Sequence, residues 1–143
     1  MLWFVALTFA QPGMVDENME PAELKSVDEL VRDLRGEDAS DALFAARELK
    51  AQTKSYNKTV ARGNPSSVRV LEARHKLAQI EERAAGPCLD LLSDDRMARP
   101  CAGLIAELGM TNALPALHDA NQPDRPGLTR RALRRAIRSL EDS

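Results

Sequence analysis

From Ser26 to its C-terminus this chain places its apolar residues at helical spacing, and no stretch there reads as a strand. The composition agrees: 21 Ala and 19 Leu stand against 7 Val and 3 Ile. Ala and Leu favour helices, whereas β-branched residues favour strands, so a β-rich fold is excluded. The 143 residues are enough for one domain with a real core. At 43% hydrophobic and 29% charged, the chain is globular and not disordered. Trp3, Phe4 and Phe9 lie in the first ten residues, which leaves only Phe44 and Tyr56 beyond them. That rules out an aromatic base-stacking platform.

Net charge is −2, with 20 basic and 22 acidic residues, so there is no global pull toward nucleic acid. The charges are unevenly placed. Residues 1–41 hold ten acids and three bases, residues 47–83 hold nine bases and four acids, and residues 124–143 hold six Arg and three acids. Such asymmetry orients encounters with charged partners, although solvated helix faces alone account for the middle segment.

Residues 1–10 form an apolar run broken only by Thr8, followed by Gln11-Pro12-Gly13 and an acidic stretch. The run is too short to span a bilayer, which needs about 20 residues. Thr8 and Ala10 suit the small-residue positions of a signal peptidase site, but a basic n-region is missing. The expectation is a signal peptide with a truncated start, hence a periplasmic or secreted protein; the alternative is a cytoplasmic protein whose apolar tail packs onto the domain. Residues 11–22, with Pro12, Gly13 and Pro21 among acids, read as a flexible acidic linker, and residues 23–143 as the folded domain.

Ser26-Val-Asp-Glu29 is a capping box that opens a helix with Val27, Leu30, Val31 and Leu34 on one face, stopped by Gly36. A second helix starts after Asp38 or Ser40. It either runs on through residues 51–62 or breaks near Ser55, and Gly63-Asn64-Pro65 ends it. A third spans about Ser66–Arg83, with Val70, Ala73, Leu77 and Ile80 inward. Shorter helices follow near 86–93, 96–109, 112–120 and 127–141.

Sliding the chain by 28 residues brings Leu77 onto Ile105, Ile80 onto Leu108, Ala85 onto Ala113, Pro87 onto Pro115 and Leu89 onto Leu117. A short helix pair cannot bury its apolar faces alone, so repeated pairs must stack. Asp95-Arg-Met-Ala98-Arg99-Pro-Cys-Ala102, continued by Leu104–Gly109 and Ala113-Leu-Pro115-Ala-Leu117, resembles a HEAT-like repeat of the short type seen in phycobilin lyase subunits. The likeness spans roughly residues 26–141 and is close only over 95–117; Ala42, for one, stands where the repeat Arg would fall. It implies a ladder of Asp and Arg from neighbouring turns, with Asp95 and Arg99 at the matching positions. The expected fold is all-α: a short solenoid of antiparallel helix pairs, about two and a half to three degenerate repeats.

Little here can carry catalysis. The only two histidines, His75 and His118, fall in different repeats, whereas a zinc site needs three or four His, Cys or carboxylate ligands clustered together. There is no glycine-rich phosphate loop and no Gly-x-Ser-x-Gly elbow. No cofactor or metal site is expected. Cys88 and Cys101 lie equally far from a turn centred on Ser93–Arg96, so in an antiparallel hairpin their side chains can meet. In an oxidising compartment a disulfide is reasonable there, worth about 3 kcal/mol at most in the chain-entropy model. The alternative is two small buried core residues. Arg130, Arg131, Arg134, Arg135 and Arg138 fall within an arc of about 140°, opposite Leu133, Ala136, Ile137 and Leu140. That stripe, with Tyr56 in the polar 51–62 region, is the candidate face for a protein or peptide partner. The expected function is a non-catalytic binding or scaffold module. One alternative is a cytosolic nucleic-acid binder that adds Lys50, Lys54, Lys58 and Arg62 to the Arg face. Another, suggested by the resemblance alone, is a lyase- or chaperone-type subunit acting on a cofactor-bearing partner.

Overall fold

A computed structural model describes residues 25–143. The expected signal peptide (1–10) and linker (11–22) lie outside the described residues. The described chain contains α1 (Val27–Arg35), α2 (Ala39–Arg62), α3 (Val68–Asp90), α4 (Asp95–Glu107), α5 (Leu114–Ala120) and α6 (Gly127–Glu141). Single 3-10 turns at Leu91–Ser93 and Thr111–Ala113 lead into α4 and α5, and among the described residues there is no strand.

Side chains at the helix starts explain most of these boundaries. The Glu29 N–H donates to Ser26 Oγ at 3.2 Å, and the Ser26 N–H donates back to the Glu29 carboxylate at 2.9 Å. Those hydrogen bonds hold the Glu29 carboxyl below its usual range. Asp38 accepts from the Asp41 N–H at 3.0 Å, which settles the start of α2 at Asp38 and not Ser40. Ser67 and Asp94 cap α3 and α4 in the same way. Ser26→Ala is therefore expected to cost about 1 kcal/mol in urea unfolding; an unchanged midpoint would mean that α1 is held by packing alone.

The structure settles one helix boundary the sequence left open and moves another. α2 does not break near Ser55. The buried Thr53 hydroxyl donates to the Leu49 carbonyl at 2.8 Å and the Thr59 hydroxyl to the Ser55 carbonyl at 3.2 Å, so polar side chains fold back onto their own helix. α3 runs unbroken through Gly86 and Pro87 to Asp90, where the sequence suggests an end near Arg83 and a separate short helix. Proline removes a backbone donor and favours a kink. Here Ala84, Ala85, Pro87 and Cys88 are all buried, and that packing outweighs the local cost.

α4 lies at the centre of the packing. Met97, Ala98, Cys101, Ala102, Leu104 and Ile105 are buried along it, and it contacts α2, α3 and α6. α1 packs on α2 and α3, and α5 on α6. Lys50 lies across Gly103, where an added Cβ would sit 2.9 Å from Lys50 Cε, and Asn57 donates to the Glu107 carbonyl at 2.7 Å. Both contacts advance in the same sense, so α2 and α4 run in the same direction. Arg125, just ahead of α6, meets Asp95 at the start of α4, so those two helices begin side by side. The result is a row α2–α4–α6, while an Arg83–Asp28 ion pair ties α3 to α1.

Candidate binding groove

The row α2–α4–α6 presents a groove of about 800 Å³, and none of its lining residues comes from α1, α3 or α5. Helical spacing selects the lining. Arg47 and Lys50 come from α2; Arg96, Arg99 and Gly103 from α4; Arg131 and Arg135 from α6. Small residues make the floor, among them Gly103, Ala106, Ala132 and Ala136, and Leu43 and Leu128 add apolar edges. Leu128 is 56% exposed, a large apolar side chain left without cover.

Six cationic side chains, all exposed, therefore face two carboxylates, Asp95 and Glu107. Asp95 is already engaged by Arg125, so the groove is strongly positive. Neighbouring packed helices stand about 8–10 Å apart. At about 3.1 Å per residue and three residues per turn, that spacing suits carboxylates three positions apart on one face of an extended, polyproline-II-like segment. Like charges along a concave surface also focus the field and speed the arrival of anionic partners.

The Arg stripe expected on the last helix divides in the structure. Arg131 and Arg135 point into the groove, whereas Arg130, Arg134 and Arg138 do not line it. Arg130 is half-buried, with its Nε lacking a partner. Tyr56 is half-buried in a separate hollow with Ser55, Thr59, Val68, Leu71 and His75, so it does not join the Arg face. Of the four bases Lys50, Lys54, Lys58 and Arg62 that the nucleic-acid alternative adds to the Arg face, only Lys50 reaches the groove. The sequence pattern left out Arg47 and Arg96, and the family resemblance implied a ladder role for Arg99. Their common signal is helical spacing on α2 and α4, which becomes meaningful only once those helices are known to be neighbours.

Asp95 takes Arg125 as its partner, with Nη2 donating at 2.8 Å and Nε at 3.1 Å. Arg99, the other ladder position, faces the groove and makes no ion pair among the described residues. Arg125 is 10% exposed and also donates to the Leu92 carbonyl at 2.6 Å and the Ala120 carbonyl at 2.9 Å. One guanidinium thus joins the turn before α4, the start of α4 and the end of α5. It sits in a loop where no periodic pattern marks it.

Cys88 and Cys101 are both free and fully buried. The Cys101 thiol beside it, together with burial, pushes the Cys88 thiol up. His75 and His118 are exposed, and His118 Nε2 lies 3.7 Å from Glu141. Among the described residues no three His, Cys, Asp or Glu side chains form a group able to hold a metal, and no helix is long and apolar enough to cross a membrane. Comparison with known protein families, with curated proteins and with solved structures found no match.

Proposed function

We propose that this protein is an exported, non-catalytic protein-binding module, a short solenoid of HEAT-like helix pairs that receives an acidic, extended segment of a protein partner. The observation that carries the reading is the cluster of six cations on one open groove. Its solenoid part draws support from the succession α1–α2, α3–α4, α5–α6, in which one helix of each pair enters the row α2–α4–α6. The apolar run and small-residue site at residues 1–10 support export.

A fluorescein-labelled peptide rich in Asp and Glu tests the groove by fluorescence anisotropy. The Arg99→Glu, Arg131→Glu double variant is expected to weaken binding at least about tenfold, or about 1.4 kcal/mol. Arg134→Glu with Arg138→Glu, outside the groove, is expected to change it far less. Equal losses in both variants would show a diffuse charge effect and remove the groove from the account. A labelled single-stranded oligonucleotide serves as the competing probe. If it binds more tightly and with a steep salt dependence, the nucleic-acid reading replaces this one.

A further inference from the structure

We propose that Cys88 and Cys101 are a disulfide-forming pair whose bond ties α3 to α4 across their connecting turn. The inference stands apart from the groove reading and rests on the hairpin itself. At about 1.5 Å per residue in α-helix and about 2.0 Å in 3-10 helix, Cys88 lies about 8.5 Å before Ser93. By the same rise, Cys101 lies about 9 Å beyond Asp95. The two residues therefore sit at equal height on adjoining helices that contact one another. Both belong to the same buried core and are 0% exposed.

A disulfide needs Cα atoms about 4.4–6.8 Å apart, closer than Leu-lined helices allow. Small buried residues flank the pair on both helices, Ala84 and Ala85 on α3 and Ala98 and Ala102 on α4, among larger ones such as Leu92 and Leu104. The Cys101 thiol and burial push the Cys88 thiol up, and both cysteines are 0% exposed, so a disulfide donor cannot reach them in the folded, closed core. The bond therefore forms while the hairpin is still open to solvent. One cysteine thiolate attacks a sulfur of a low-molecular-weight or protein disulfide, and a donor thiolate leaves. The second thiolate then attacks the mixed disulfide and expels the other donor thiolate. The protein loses two electrons and the donor gains them as two thiols.

Refolding the full chain in a reduced and oxidised glutathione mixture, then alkylating with iodoacetamide in denaturant, tests this by intact mass. The expected product is monomeric, two hydrogens lighter and unlabelled. A product that takes up two alkyl groups after equilibration overturns the proposal, as does one joined between chains. Thermal unfolding supplies the second readout. Reductant is expected to lower the oxidised wild-type Tm by about 10 °C. It should leave the Cys88→Ala, Cys101→Ala variant unmoved; an equal shift in that variant counts against the bond. The mass measurement uses the wild-type chain, so it stands even where the variant folds poorly.

Discussion

Leu104→Ala is expected to destabilise the protein by about 3–4 kcal/mol, the largest loss of any single change considered. Leu104 is 0% exposed and sits on α4, the helix that contacts α2, α3 and α6. Removing its side chain loses the transfer energy and leaves a cavity with rigid helices around it, so little relaxation offsets the loss. Domains of this kind have net stabilities of about 5–15 kcal/mol, so the variant would lose a large share of the total. Ile105→Val, one methylene smaller at a neighbouring buried position, should cost only about 1 kcal/mol. Urea midpoints at constant slope measure both. If Leu104→Ala costs no more than Ile105→Val, α4 is not the centre of the core. The same variant separates stability from binding. It should lose affinity for the acidic peptide only as it unfolds, whereas Arg99→Glu should lose affinity while still folded.

The second large effect belongs to Arg125→Ala, expected to cost about 2–3 kcal/mol. The ion pair with Asp95 contributes little of this, because the Asp95 side chain is 55% exposed. Most of it comes from the Leu92 and Ala120 carbonyls, which lose a charged donor in a part-buried place where water replaces it poorly. Arg125→Lys keeps the charge but loses the rigid fork that reaches three acceptors, so it should recover less than half of the loss. Full recovery by lysine would show that charge alone matters there. Because Arg125 joins the starts of α4 and α6, its loss should also raise hydrogen exchange together at Met97, Ala98 and Arg130, whose N–H groups close the first turns of those helices.

Where local chemistry decides, the residues themselves were informative. The Ser26–Glu29 capping box, the all-helical character and the span of α6 at 127–141 each depend on groups within one or two turns of one another. The continuity of α3 was hidden, since Gly86 and Pro87 argue locally for a break while their buried neighbours favour helix. The Arg stripe was legible as a stripe. Its division was not, because a helix pattern gives an arc of side chains without saying which part of the arc another helix will border.

The all-helical character, the Ser26–Glu29 capping box and the equal spacing of Cys88 and Cys101 about their turn followed from the sequence by itself, because each rests on short-range pattern. The tertiary structure alone decided which cations share a surface. Lys50 meets Gly103 across more than fifty residues of chain, and Asp95 takes Arg125, thirty residues away, as its partner. Those pairings depend on how whole helices stack to bury their apolar faces, a choice made by the summed burial of many residues and marked by no single one.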